Sequence, residues 1–273
     1  MPAPNEITVA QLNRLIGTSE CPEIVDICID PDFAEDPYLI PGSWRHPHSD
    51  IPGLITRLSG ARAVIVCQKG AKLSQGLAAW LRAEGVDAQY LSGGQYGWRD
   101  TSGTQRIPFE KIPKPVEGTT LWVTRHRPKI DRVACPWLIR RFVDRRARFL
   151  FVSPAEVAGV ADRYGATPFD VEDVFWSHRG DNCTFDTMIE EFQLNSPALS
   201  RMADMIRGAD TNRHDLHPAA AGLLAVSVGL SRQYRDDQAQ LEAGMTLYDA
   251  LYRWARDGYE EGHDWPTSRG LRA

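Results

Sequence analysis

An apolar run at 61–66 ends on Cys67, a loop carrying Lys69, Gly70 and Lys72 follows, and a helical pattern starts at once with Leu73, Leu77, Ala78 and Leu81. A short apolar run reads as a buried strand, and apolar residues three to four apart read as one face of a helix. A strand that runs straight into a helix crosses over to a parallel neighbour, so this junction commits the segment to a parallel sheet. The flanking pattern agrees. An amphipathic helix is expected at 5–16, opening near Thr8, then a strand at 23–29 and a short helix at 49–58. A helix at 73–84 with Gly85 as its C-cap and a strand at 88–91 before Ser92-Gly93-Gly94 complete the unit. The expectation is an α/β fold with helices on both faces of a parallel sheet.

A thiol between a strand end and a helix start faces free backbone N–H groups and the positive end of the helix dipole. Such surroundings favour a thiolate and hold an anion. Cys67 can be a small buried hydrophobe or a nucleophile, and the residues after it favour the nucleophile. Gly70 lets the backbone turn tightly, and Lys69 and Lys72 bring positive charge. Gln68, Lys69, Gly70, Ala71, Lys72 and Leu73 form the candidate anion-binding loop. This reading requires a thiol that is cradled by amides and open to solvent.

The pattern lapses over 101–119, where Pro108, Pro113 and Pro115 stand between Gly103 and Gly118. Residues 106–119 are expected to link an N-terminal domain at 1–105 to a second domain at 120–273. The second domain opens with Leu121-Trp122-Val123 and has its clearest strand at 149–152. It is otherwise helical at 185–194, 200–207, 219–230 and 237–257, so a mainly helical α+β domain is expected. The polar tail past Asp257 is expected to be loosely held.

The 273 residues are 42% hydrophobic and 25% charged, enough for two buried cores. A formal net charge of -5 sets aside general nucleic-acid binding. No run is apolar enough to span a bilayer, and no signal-peptide pattern opens the chain. Five widely spaced cysteines make no disulfide framework, so reduced thiols and a cytoplasmic location are expected.

Arginines crowd the stretch from Trp122 to Arg148. Arg125, Lys129 and Arg132 precede a helix and are the candidates for holding an oxyanion, whereas Arg141, Arg145 and Arg146 read as a solvated helix face. Cys135 precedes Pro136, which suits the first turn of a helix. At that N-cap a thiol would be acidified, although a core role is equally open. His178, Cys183, Asp186 and Glu190 form a third group. Imidazole, thiolate and carboxylate suit zinc or iron, but the spacing matches no established ligand motif.

Residues 5–100 resemble a single-domain rhodanese, a sulfurtransferase. Cys67-Gln68-Lys69-Gly70-Ala71-Lys72-Leu73-Ser74 is similar to the rhodanese active-site loop, usually Cys-x-x-Gly-x-Arg-Ser. Leu91-Ser92-Gly93-Gly94-Gln95-Tyr96-Gly97-Trp98 is similar to its closing Leu-x-Gly-Gly-x-x-x-Trp signature. Val25-Asp26 and Ile40-Pro41-Gly42-Ser43 match its early elements. The resemblance implies that Cys67 becomes a persulfide without a cofactor. A small-molecule donor such as thiosulfate supplies the sulfur, and cyanide or a thiol accepts it. Six residues from Cys67 to Lys72 is the loop length for sulfur, where phosphatase relatives use a longer one. Lys72 replaces the usual arginine, keeping the charge without its bidentate fork, so low activity on thiosulfate is expected. Cys28 stands where an arginine or similar polar residue often follows the Val-Asp element, and reads as a structural thiol rather than a resolving one.

Residues 120–257 resemble the C-terminal domain of the chromate-resistance protein B family. The resemblance lies in 130–142, in Ser177-His178 through Cys183-Thr184-Phe185-Asp186, in Arg207-Gly208-Ala209-Asp210-Thr211 and in 220–225. It implies a part in chromate resistance, with chromate as a candidate ligand. Better-known members carry a different N-terminal region, thought to bind DNA, so regulation is not carried over. The expected function is a sulfurtransferase coupled to a domain that binds a metal or an oxyanion. The alternatives are a chromate sensor without turnover and a metal-dependent redox enzyme in the second domain. Nothing in the sequence sets the oligomeric state.

Overall fold

The computed structural model describes residues 5–262. Most of the tail expected to be loose lies outside the described residues. The first part of the chain gives β1 (Glu6–Ile7), α1 (Val9–Leu15), β2 (Glu23–Asp26), α2 (Asp30–Ala34), β3 (Tyr38–Leu39) and β4 (Ser43–Arg45). It continues with α3 (Ile51–Leu58), β5 (Arg62–Val66), α4 (Lys72–Ala83), β6 (Asp87–Leu91), α5 (Gly94–Asp100) and β7 (Ile107–Pro108). Five strands pair in the order β1-β6-β5-β2-β4, every pair parallel.

The two-residue period of β5 decides where the cysteine goes. Val64 and Val66 face one core, shared with Leu12 of α1 and Trp98 of α5. Ala63 and Ile65 face the other, shared with Leu54 of α3 and Leu77 and Leu81 of α4. Cys67 continues the second row and is delivered beneath the start of α4. Helices thus cover both faces, as the strand–helix alternation predicts.

Residues 106–119 are not a free linker. Ile107 is buried, β7 pairs antiparallel with β3, and a 3-10 turn follows at Phe109–Lys111. The Phe109 ring meets Phe33 edge-on at 5.2 Å. Proline and glycine punctuation hides this short apolar pairing from a reading by composition.

The second domain comprises β8 (Leu121–Arg125), α6 (Asp131–Leu138), β9 (Arg148–Val152), α7 (Val157–Tyr164) and β10 (Thr167–Pro168). The helices α8 (Thr184–Glu191), α9 (Pro197–Asp210), α10 (Ala220–Gln233) and α11 (Asp237–Asp257) follow. The strands form a small parallel sheet in the order β10-β8-β9. Val123 packs under α7, with Val157 and Ala166, while Trp122, Phe149 and Phe169 face the helical core. No described helix is long and apolar enough to cross a membrane.

The two domains share one core, which runs from Ile16, Ile24 and Trp98 into Trp137, Phe142 and Tyr252. Pro136 inside α6 has no N–H for the helix ladder, and the helix widens into a π-turn at Ile139–Val143. The Phe142 carbonyl accepts the Gly42 amide of the first domain. Arg141 and Arg145 are therefore half-buried and not the solvated face that the sequence suggests, while Arg146 is exposed as expected. Arg145 donates to the Cys21 carbonyl and lies 3.6 Å from Glu23, and Arg146 donates to the Arg57 carbonyl at 2.9 Å. Arg141 grips Asp249 of α11 with two bonds, of 2.7 and 2.8 Å, and Trp137 Nε1 donates to the same carboxylate at 2.9 Å. Removing that carboxylate strands a guanidinium and an indole N–H together. Asp249→Ala is expected to cost about 2–4 kcal/mol in urea unfolding, and a loss below roughly 0.5 kcal/mol contradicts this role.

Candidate active site at Cys67 and a carboxylate–histidine cluster

Ligand sites in parallel sheets form at the carboxyl ends of the strands. Cys67 follows the last residue of β5 there, with Asp26 and Cys28 at the end of β2 beside it. Ala71 is the N-cap of α4 and has no side chain to cap it, in contrast to Thr8, which closes a capping box with Gln11 on α1. Among the described residues, no group accepts a hydrogen bond from the amides of Gln68 to Ser74. A row of free donors at a helix start is an anion cradle.

The cradle is held open from behind. Gly70 (φ +64) approaches the turn after β6 so closely that a Cβ there would lie 2.5–2.7 Å from backbone atoms of Leu91, Gly93 and Gly94. Gly94 (φ +57) returns the contact, and its Cβ would overlap the Cys67 carbonyl and the Gly70 amide. Gln95 N and Tyr96 N donate to the Cys67 and Gln68 carbonyls, each at 3.0 Å, so the start of α5 ties down the carbonyl side of the loop. Gln68 is tied outward to Glu35 at 3.0 Å. Lys69, Ala71 and Lys72 are exposed and Leu73 is half-buried.

Cys67 Sγ donates to Ser74 Oγ at 3.1 Å, and Ser74 Oγ donates to the Ala71 carbonyl at 3.3 Å. The cysteine is 5% exposed, so it lies on the floor of the loop and not on the rim that the sequence reading asked for. Cys28 is close enough for the two thiols to interact electrostatically. Burial pushes the Cys28 thiol far above its usual range, and the Asp26 carboxylate adds to the shift. Burial likewise raises Cys21, Cys135 and Cys183. Burial thus makes these four thiols poor nucleophiles. Brief alkylation with a small reagent is expected to mark Cys67 before any of them, as read by peptide mass spectrometry, and equal labelling of Cys28 contradicts this.

The second domain places its chemistry at a different junction. Cys135 is not at an N-cap. α6 begins at Asp131, which puts Cys135 one turn inside a buried helix, where burial and then the Asp131 charge push its thiol up. Arg125 and Arg132 converge, as expected, but on Asp170 Oδ2, at 3.4 and 3.2 Å, rather than on an open anion site. Lys129 is exposed near Arg127 and Arg232 at the rim of a separate cleft. Among the described residues, His178, Cys183, Asp186 and Glu190 do not come together as a ligand set. Cys183 is the buried N-cap of α8. Asp186 accepts the Cys183 amide at 3.0 Å and pairs with Arg207 at 2.7 Å, and Glu190 is a surface partner of Arg179.

His178 instead meets three carboxylates that the spacing did not single out. Its Nε2 lies 3.6 Å from Asp131 Oδ2, 3.4 Å from Asp170 Oδ1 and 3.3 Å from Asp210 Oδ2. Asp131 stands at the start of α6, Asp170 just past β10 and Asp210 at the end of α9. Hydrogen bonds with Asp170 and Asp210 push the imidazole up to about 10. Burial, and then the charges of Asp210 and Asp170, raise Asp131 well above the carboxylate range. At Asp170 burial pulls upward, but His178, Arg132 and Thr184 outweigh it and hold the carboxyl below its usual range. Ile130, just before Asp131, has φ +36, a strained value for a β-branched residue. Tyr248 OH of α11 holds its carbonyl at 3.1 Å, and Gln240 holds that of Pro128.

Residues 122–255 match the family described as ChrB, C-terminal domain. Protein ChrB of Cupriavidus metallidurans is 34% identical over 132 residues, which are 48% of this chain and 39% of that protein. The chain thus spans about two fifths of that relative's length. Among solved structures, a rhodanese-like domain protein from Staphylococcus aureus is 27% identical, with a TM-score of 0.32, over 37% of this chain and 96% of that one. A thiosulfate sulfurtransferase from Pseudomonas aeruginosa is 24% identical, with a TM-score of 0.32, over 38% of this chain and 19% of that one. Residues 122–255 are thus similar to the ChrB C-terminal domain, and they share one chain with an N-terminal α/β domain.

Proposed function

We propose that the chain is a sulfurtransferase in which Cys67 carries sulfur as a persulfide, working beside a ChrB-type domain in a chromate-resistance setting. The observation that carries this reading is the run of unpartnered amides from Gln68 to Ser74 in the loop that follows Cys67. A donor anion such as thiosulfate binds these amides with Lys69 and Lys72 at the rim. The Cys67 thiolate attacks the sulfane sulfur, a new S–S bond forms, and the donor's own S–S bond breaks so that sulfite leaves with the electron pair. The amides stabilise the charge on the transferred sulfur in both half-reactions. Cyanide or a thiolate then attacks the outer sulfur, and Cys67 leaves as thiolate. Ser74 Oγ, 3.1 Å from the sulfur, is placed to take the thiol proton's hydrogen bond and then to donate to the thiolate. With Cys67 on the loop floor and not open to solvent as the sequence reading required, access is limited to small donors and acceptors.

The sensor reading loses support, because Arg125 and Arg132 are already paired with Asp170. Intact-mass spectrometry after exposure to thiosulfate and desalting tests the proposal. A mass gain of one sulfur atom that cyanide removes is expected, and an unchanged mass with thiosulfate and with other sulfane donors overturns it.

A further inference from the structure

We propose that Asp131, Asp170 and His178, with Asp210 bracing the imidazole, bind a divalent first-row metal ion of the manganese–iron–zinc group, at a site separate from Cys67. One ligand atom from each of Asp131, Asp170 and His178 lies within 4.8 Å of the others. Asp210 Oδ2, 3.3 Å from the imidazole nitrogen, lies outside this mutual group and flanks it on the His178 side. Three features favour an ion over a simple ion-pair cluster.

The first is valence. A single Nε2–H cannot serve three carboxylates, and 3.3–3.6 Å exceeds the roughly 2.7–2.9 Å of a strong charge-assisted bond. Two metal–ligand bonds of about 2.1 Å put their outer atoms roughly 3.0 Å apart at a right angle and roughly 3.4 Å apart at a tetrahedral one. The imidazole–carboxylate separations of 3.4 and 3.6 Å for Asp170 and Asp131 are near that range.

The second is an orphan atom. Asp131 is fully buried, and its Oδ1 has no hydrogen-bond partner. An unsatisfied carboxylate oxygen inside a protein is costly, and a coordinated cation removes that cost.

The third is the outer layer. Thr184 donates its amide to Asp131 Oδ2 at 2.6 Å and its hydroxyl to Asp170 Oδ1 at 2.9 Å. Arg125 and Arg132 hold the remaining oxygen of Asp170. Ligand carboxylates are fixed in this way in established metal sites. One imidazole among carboxylates matches manganese, iron or zinc better than calcium or copper. The half-exposed His178 leaves the ion a path to solvent.

The test uses the full-length protein, stripped with a chelator and titrated with Mn²⁺, with free ion followed by electron paramagnetic resonance and Zn²⁺ added as competitor. One equivalent is expected to bind, and Zn²⁺ is expected to displace it. His178→Ala and Asp210→Asn are each expected to weaken binding by about tenfold or more, with the circular dichroism spectra of the metal-free variants unchanged. The proposal is overturned if both ions stay free at protein-saturating concentrations, or if both variants bind as tightly as the wild type.

Discussion

Cys67→Ala is expected to abolish sulfur loading, with the rate of thiosulfate-to-cyanide transfer falling on the order of 10³-fold or more. The size follows from the chemistry. A covalent intermediate needs a nucleophile, and Cys67 is the cysteine that opens the loop of free amides. Cys28 is the nearest rival, but burial and the Asp26 charge keep it protonated. The alanine variant should fold, because Cys67 is already small and packed with Ala63 and Ile65 on the same face of β5. A variant that keeps even a tenth of the wild-type rate would move the chemistry to another residue. Lys72→Arg on the same assay reads out the loop charge, and a rise in activity on thiosulfate is expected from the restored bidentate fork.

Gly94→Ala is expected to be the most damaging single-methyl change near the site, costing about 3 kcal/mol or more and eliminating sulfur transfer. Two effects add. Gly94 has φ +57, which side-chain-bearing residues seldom adopt. The added Cβ would also press on backbone atoms of Cys67, Lys69 and Gly70, and backbone cannot move aside as a side chain can. If the variant remains folded, the loop must shift and the amides of Gln68 to Ser74 lose their common focus. Gly85→Ala is the control, because Gly85 has φ +85 but nothing within 4 Å of an added Cβ. It is expected to cost only about 1–2 kcal/mol and to leave transfer intact. Equal losses of transfer in the two variants would show that conformation alone, and not the contact with the loop, is responsible.

The N-terminal site was legible in the residues because its parts are contiguous. A strand, a loop and a helix lie in one short stretch, and a period of two places Cys67 on the α4 side. Gly70 and the Gly93-Gly94 pair were visible as turn residues, but their mutual contact was not, since nothing local brings 70 and 94 together. The depth of Cys67 also escaped the sequence, because it depends on α3 and α4 closing over the strand end.

The second domain shows the opposite case. Spacing grouped His178 with Cys183, Asp186 and Glu190, which are near in the chain and diverge in space. The carboxylates that do meet His178 come from the start of α6, the end of β10 and the end of α9. Asp131, His178 and Asp210 each fall in a stretch that carries the family resemblance, but nothing in those separate stretches shows that they meet. The arginines misled for a similar reason: a guanidinium looks solvated until a distant carbonyl or carboxylate is folded against it, as for Arg145 at Cys21 and Arg141 at Asp249.

By itself the sequence determined the parallel α/β architecture of the first domain, the loop that bears Cys67 and the helical character of the second domain. Those properties follow from hydrophobic period and turn chemistry, which act between neighbours in the chain. Only the tertiary structure decided which acidic groups surround His178, where the arginines end and how deep the thiol sits. Each of these depends on long-range packing that burial drives, and no local pattern encodes it.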